Sequence, residues 1–122
     1  MSVKNAKIRI ILASRPKILS DVIRSMIEHQ PDMEVVGEVL DPIELLSTTR
    51  LVPADVVIIT PLKVNGNPRI CNHLLEEHPS LKIMIFSANG EAGLLVQMGV
   101  PTIRIDDPSE QAILSALRTV LR

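Results

Sequence analysis

Three hydroxyl side chains, Ser14, Thr60 and Ser87, end or follow short runs of Val and Ile that indicate buried strands. Hydroxyls at neighbouring strand ends, beside the positive charge of Arg15, would suit the binding of a small anion. The alternative is that they hydrogen-bond the backbone of nearby loops, as Ser and Thr commonly do there. A threonine hydroxyl acts as a nucleophile only where a base or a metal ion activates it. Apart from Asp106, the sequence places no evident activating group near these strand ends.

The elements that must position these side chains are five strands alternating with helices. Each strand is a nearly continuous apolar run, which is typical of strands covered on both faces. The predicted strands are Ile8–Ala13, Glu34–Val39, Asp55–Thr60, Lys82–Ser87 and Thr102–Ile105. A capping residue followed by proline predicts the start of three helices, at Asp41-Pro42, Asn67-Pro68 and Asp107-Pro108.

Apolar stripes at helical spacing predict which helix faces are buried. In the first helix the residues predicted to face inward are Ile18, Val22, Ile23, Met26 and Ile27. In the last helix they are Ile113, Leu114, Leu117, Val120 and Leu121.

A further helix is predicted at Gly90–Met98, which carries one charge and little polar surface. Its apolar residues and the following strand would form an exposed face of the kind that marks a partner surface. The residues of this predicted interaction face are Leu94, Leu95, Met98 and Ile103. The alternative is that Leu94, Leu95 and Met98 belong to the core.

Strand–helix alternation with short connections favours right-handed crossovers and a parallel sheet. We therefore predict an α/β fold whose five-stranded parallel sheet has the flavodoxin-like order 2-1-3-4-5, with helices on both faces. The chain of 122 residues predicts a single domain, 1–122, with its core in 7–121.

Composition and motifs restrict which partners and cofactors can be expected. A net charge of −1 gives no reason to expect nucleic acid or a membrane as a direct partner. A single cysteine, no signal peptide and no long apolar run predict a cytoplasmic protein. Neither a Gly-rich turn after the first strand nor a GxxxxGK motif is present, so no cofactor is predicted. The histidines and Cys71 lack the spacing of a metal site, and no metal is predicted.

Five segments are informative as a set: Ile8–Ala13, Pro31–Val39, Pro53–Ile59, His78–Ala88 and Met98-Gly99. Together they resemble the receiver domains of bacterial two-component response regulators, in the subfamily that often carries a LuxR-type helix-turn-helix output. The resemblance covers Ile8 to Leu121. Receivers accept a phosphoryl group from a histidine kinase on an aspartate at the end of the third strand.

The resemblance implies that the receiver's reactive groups have been replaced. Thr60 stands at the phosphoacceptor position, Ser14 and Arg15 at the Mg²⁺-binding acidic pair, and Asp106 at the lysine of the last strand. Only the switch hydroxyl, Ser87, is kept. Mg²⁺ prefers hard oxygen ligands, usually carboxylates, so we expect neither metal binding nor phosphotransfer.

Arg15 and Asp106 reverse the charges of the family's acidic pair and lysine. One interpretation is an ion pair that replaces metal and lysine. The alternative is that both side chains point into solvent, where such a pair contributes about 0–1 kcal/mol.

The leading hypothesis is a pseudo-receiver: a phosphorylation-independent protein–protein interaction module of signal transduction, without enzyme activity. The partner would be another protein or a second copy of the chain, because the face formed by the fourth helix, fifth strand and fifth helix commonly carries dimer and output contacts in receivers. One alternative is a small-ligand sensor that uses the degenerate pocket. Another is the receiver part of a DNA-binding transcriptional regulator, although the sequence ends soon after the last helix.

Overall fold

A computed structural model describes residues 7–14, 17–39, 42–60, 69–86, 92–106 and 109–120. In these ranges the helices are α1 (Lys17–Glu28), α2 (Pro42–Leu51), α3 (Arg69–Glu77) and α4 (Glu110–Val120). The strands are β1 (Ile8–Ser14), β2 (Met33–Val39), β3 (Val56–Thr60), β4 (Lys82–Phe86), β5 (Ala92–Gln97) and β6 (Val100–Asp106). None of the helices described is long and apolar enough to cross a membrane.

The strands form one mixed sheet in the order β2-β1-β3-β4-β5-β6. The first four in this order are parallel, and β5 is antiparallel to both of its neighbours. All five predicted strands are confirmed within a residue or two at their described ends. Ser87, the predicted end of the fourth strand, lies outside the described residues.

The predicted order 2-1-3-4-5 of a wholly parallel, five-stranded sheet is wrong, because a sixth strand occupies the position after β4. This strand, β5, comes from the segment that we predicted as a helix, Gly90–Met98. A short apolar run is compatible with either element, and Gly93 lowers the helix propensity of the segment. The last predicted strand becomes β6, one position further along the sheet.

Two glycines explain why this segment forms a hairpin. A Cβ atom at Gly93 would lie 2.9 Å from two ring carbons of Phe86, its partner on β4, so only glycine allows this approach. Gly99 has a φ of +76° and lies in the two-residue loop between β5 and β6. Glycine adopts this left-handed conformation without the steric cost that a side chain brings.

The core has two layers, one on each face of the sheet. Alternation along the strands separates them: Ile10 and Leu12 face one layer, and Ile11 faces the other. Residues of α1 and α4 complete the first layer, while α2 and α3 complete the second. The structure confirms the predicted inward positions of Ile113, Leu114 and Leu117 in α4. The side chains of Val120 and Leu121 lie outside the described part of the chain.

The buried face of α1 is rotated relative to the prediction. Ile23 and Ile27 are buried as expected, but Ile18 and Val22 are 73% and 61% exposed. The reason is polar: Ser20 is fully buried, and its Oγ donates a hydrogen bond of 2.9 Å to Glu38 Oε2 on β2. Arg24 Nη1 donates to the other carboxylate oxygen of Glu38, also at 2.9 Å, and the two bonds fix the helix orientation.

Arg118 ties helix α4 to the loop between α1 and β2. Its guanidinium donates two hydrogen bonds to the carboxylate of Asp32, at 2.8 and 3.0 Å, and one of 2.6 Å to Gln30 Oε1. The hydrogen bonds to Asp32 raise the pKa of Arg118. This contact holds the C-terminal helix against the loop that precedes β2.

Candidate functional site

The carboxyl ends of the parallel strands form one edge of the sheet, where chemistry is expected in an α/β fold. At this edge β1 ends at Ser14 and β3 ends at Thr60, and the two residues are register partners. The neighbouring strand β4 ends at Phe86. Because β5 runs the other way, its first residue, Ala92, lies at the same edge opposite Asp106.

Thr60 occupies the centre of this edge and is 3% exposed. It has an interaction partner within the protein. The neutral hydroxyl of a threonine is a weak nucleophile unless a base removes its proton. The end of β3 therefore presents an enclosed hydroxyl group.

Of the other predicted edge residues, the structure describes only part. Ser14 and Asp106 are placed through their backbones, and nothing is described of their side chains. Arg15 and Ser87 lie outside the described residues, so the hydroxyl pocket and the ion pair between Arg15 and Asp106 stay predictions.

The predicted ion pair depends on how far apart β1 and β6 lie in the sheet. From β1 to β6 there are four strand spacings, because β3, β4 and β5 lie between them. At about 4.8 Å each, the spacings add to about 19 Å. The predicted sheet would have had one spacing fewer. The ends of β1 and β6 are therefore further apart than the predicted sheet implied.

In the β5–β6 hairpin, some residues of the predicted interaction face are buried and others are exposed. Leu95 is 3% exposed and packs in the core with α1 and α4, and Leu94 is partly buried. Met98 and Ile103 are 47% and 48% exposed. The exposed residues of this set thus lie in the hairpin loop and on β6. Leu95 lies beside Ile103, as its register partner on β5.

Val100, which is 46% exposed, belongs to the same surface and was missed by the sequence reasoning. Leu95 pairs with Ile103 and Gln97 pairs with Val100, so β6 carries one extra residue between these two pairs. Because Leu95 and Gln97 share a face of the sheet, their partners Ile103 and Val100 share it too. The spacing of three residues between Val100 and Ile103 concealed this in the sequence.

A cleft of about 600 Å³ lies at the opposite, amino edge of the sheet, between the ends of α2 and α3. Arg50 donates two hydrogen bonds to the carboxylate of Glu77, at 2.7 and 2.8 Å. These bonds lower the pKa of Glu77 and raise that of Arg50. Lys82 Nζ donates to the backbone carbonyl of Ser80 at 2.8 Å. The Arg50–Glu77 pair thus joins the end of α2 to the end of α3, and we call this pair the clamp between α2 and α3.

No metal-binding cluster of three or more His, Cys, Asp or Glu side chains occurs within the residues that the structure describes. Cys71 is fully buried on α3, and burial raises the pKa of its thiol to about 11. At neutral pH it is therefore protonated and enclosed, which is typical of a structural cysteine.

Comparisons with known proteins locate the fold. Neither a protein-family profile nor a curated protein matches the chain. Solved structures do match. The structure of a complex of DNA with the two-component response regulator RcsB has a TM-score of 0.60 at 24% identity, over 70% of this chain and 44% of that one. A structure of RcsB from Salmonella typhimurium has a TM-score of 0.59 at 24% identity, over 70% and 45% of the two chains.

A third structure extends the match along this chain. RcsB of Salmonella enterica serovar Typhimurium, bound to a promoter with the phosphomimetic BeF₃⁻, has a TM-score of 0.58 at 23% identity. It covers 96% of this chain and 49% of the RcsB chain. The chain thus spans about half the length of the proteins that it matches. At these identities the similarity to the RcsB structures is one of fold alone.

Proposed function

We propose that this chain is a receiver-like signalling module that acts through protein contacts and does not accept a phosphoryl group. The observation that carries the proposal is Thr60: a buried hydroxyl ends β3, at the centre of the carboxyl edge of a response-regulator-like fold. On this proposal the protein has no enzyme activity and works in the bacterial cytoplasm.

The chemistry at the strand ends supports the proposal. Phosphotransfer to a receiver makes an acyl phosphate, which requires a carboxylate nucleophile and Mg²⁺ to neutralise the developing charge. Thr60 has a hydroxyl instead, and its register partner at the end of β1, Ser14, is also a hydroxyl residue. Mg²⁺ dehydrates reluctantly and prefers carboxylate oxygens, so two neutral hydroxyls are a poor substitute for the acidic pair.

The exposed apolar side chains of β6 and of the loop before it supply a surface for the proposed contacts. Met98, Val100 and Ile103 are each about half exposed, and they lie at the end of the sheet rather than scattered over it. Grouped apolar side chains of this kind are typical of protein interaction surfaces.

A phosphoryl mimic tests the proposal in solution. Beryllofluoride with Mg²⁺ is added to the ¹⁵N-labelled protein, and the backbone amide signals are followed by NMR. We expect no change at Thr60 or its strand neighbours, because beryllofluoride binds a carboxylate oxygen. A receiver domain that has the aspartate, treated in parallel, is the positive control. Saturable shifts around Thr60 would refute the proposal.

A second candidate is the receiver-like part of a longer, DNA-binding regulator. The comparisons support it, since two of the RcsB structures are complexes with DNA and this chain spans about half of the length of RcsB. Immunoblotting of source cells with an antibody against this chain would decide. A band well above 13.4 kDa supports the candidate, and a band at that mass removes it.

A further inference from the structure

The two edges of the sheet differ in how they are covered. Along β2, the edge strand at one end, Glu38 is bound by Ser20 and Arg24 of α1, and both α1 and α2 pack against the strand. Along β6, the edge strand at the other end, all residues from Val100 to Arg104 are exposed. No strand lies beyond β6 in the part of the chain that the structure describes.

An exposed edge strand offers a row of backbone N–H and C=O groups that another strand can bind. The side chains of β6 add an apolar component, because Val100 and Ile103 share a face and are each about half exposed. Behind Ile103 lies its register partner Leu95, which is buried. Leu95 and Ile103 thus form an apolar row across two neighbouring strands. Among the described residues, no further strand lies beyond Ile103.

We propose that β6 pairs with β6 of a second copy of this chain, antiparallel and with the two-fold axis at Ile103. This pairing joins two six-stranded sheets into one and extends the apolar row from Leu95 through both Ile103 side chains to the Leu95 of the second copy. The proposal deepens the proposed function, on which it rests, by naming the partner. A two-fold interface closes on itself, so it yields a dimer rather than a fibre.

Strand length selects this register over its neighbours, because Ile103 is the midpoint of β6 and only an axis there sets every residue from Val100 to Asp106 opposite a residue of the second copy. With the axis at Ile103, Arg104 lies opposite Thr102 of the second copy. With the axis at Arg104, two guanidinium groups would lie directly opposite each other, which is unfavourable across strands. With the axis at Ile105, only the residues from Arg104 to Asp106 would lie opposite the second strand, and Ile103 would lie beyond its end. The axis at Ile103 places no two like charges opposite each other.

Pro101 limits the strength of this pairing. It has no backbone N–H, and it lies in the stretch where β6 carries its extra residue. Both features remove hydrogen bonds near the start of the strand. A single pair of strands also buries less surface than a permanent dimer interface. The expected dimer therefore dissociates on dilution.

The test is light scattering after size-exclusion chromatography over a concentration series. We expect the mass to rise from 13.4 kDa towards its double, 2 × 13.4 = 26.8 kDa. Ile103→Lys puts two positive charges opposite each other and should stay at the monomer mass. Ile18→Lys is the matched control, since it changes an exposed isoleucine on α1 and should dimerise as the original chain does.

Two further variants keep the result interpretable. Ile103→Thr retains a β-branched side chain that suits a strand, and should raise the dimer dissociation constant by about tenfold through lost apolar contact. Circular dichroism of each variant establishes that it folds. A monomer at every concentration, or a dimer that persists in Ile103→Lys, would overturn the proposal.

Disulfide formation tests the register. Ile103→Cys places two thiols at the axis, within reach of each other, and should cross-link on mild oxidation. Val100→Cys is equally exposed, but its two copies would lie six residues apart along the strands, about 20 Å, and should not cross-link. Equal cross-linking of the two variants would contradict the register. Phosphorylation of the protein would refute the proposed function and leave these results unaffected, so the two failures are distinguishable.

Discussion

The parallel strands β2, β1, β3 and β4 and the β5–β6 hairpin belong to one sheet but differ in how they are buried. The central parallel strand β3 is buried at every position, with helices covering both of its faces. In the hairpin, β5 contributes Leu95 and Val96 to the two core layers, whereas β6 is exposed from Val100 to Arg104. Within the hairpin, β5 thus belongs to the core and β6 to the surface.

This difference predicts which strands contribute most to stability and which strand is accessible to a partner. A strand buried on both faces is fixed by apolar packing, and substitutions there change the free energy of unfolding. A strand exposed at the edge of a sheet contributes less to that free energy and is accessible to a partner. We therefore expect substitutions in the parallel strands to affect folding, and those in β6 to affect association.

The largest expected effect comes from matched truncations in the two regions. Ile58 on β3 is fully buried and Ile103 on β6 is 48% exposed. Ile58→Ala should lower the free energy of unfolding by about 2–5 kcal/mol, because it removes apolar contacts and leaves a cavity. Ile103→Ala should cost about 1 kcal/mol or less in the monomer. Urea unfolding of dilute samples measures both values, and equal losses would remove the contrast.

A smaller effect is expected where the hairpin meets the parallel strands. Gly93→Ala puts a Cβ atom 2.9 Å from the ring of Phe86, so either the ring or β5 must move. We expect a loss of about 1–3 kcal/mol in unfolding free energy. The same substitution in a Phe86→Leu background should cost less, because the ring is gone. Additive losses in the double mutant would show that Phe86 is not the cause.

The next smaller loss of stability is expected in the turn of the hairpin. Gly99→Ala forces a residue with a side chain into the left-handed conformation, at about 1–2 kcal/mol. Gly99→Asn should cost less, since asparagine tolerates this conformation better. Thermal unfolding of both variants compares them, and an alanine variant as stable as the original would argue against the hairpin.

The smallest effect concerns the clamp between α2 and α3, and it depends on pH. Hydrogen bonds from Arg50 lower the pKa of Glu77 from its usual 4.5. A carboxyl whose pKa is lowered by folding stabilises the protein above its unfolded value, and this contribution is lost as the pH falls through the folded value. Glu77→Gln should therefore be less stable than the original chain at pH 7, with the difference shrinking below pH 4.5. The difference should be small, because the pair is exposed. A difference independent of pH would contradict this assignment.

The sequence predicted the four parallel strands well and the hairpin poorly, for a physical reason. Continuous Val and Ile runs specify buried strands, and a capping residue before proline marks a helix start. The segment Gly90–Met98 has no such marker, and its apolar run fits a helix or a strand equally. The informative residues were Gly93 and Gly99, since one permits close approach to Phe86 and the other forms the turn.

Tertiary contacts decided other details that sequence patterns could not supply. The stripe on α1 predicted Ile18 and Val22 as inward, but the bonds from Ser20 and Arg24 to Glu38 set the helix orientation. At the candidate site, the position of Thr60 followed from the strand pattern, because a strand end is fixed by the run that precedes it. The shared face of Val100 and Ile103 did not follow, because it depends on the irregular register of β6.

The measurement that tests the central claim most directly is intact-mass spectrometry after incubation with acetyl phosphate and Mg²⁺. Our account predicts that the mass of the chain does not change, because Thr60 offers a buried hydroxyl in place of a carboxylate. A receiver domain with its aspartate should gain one phosphoryl group under the same conditions. Stoichiometric gain of a phosphoryl group by this chain, in a form that hydroxylamine removes as it does an acyl phosphate, would contradict the account.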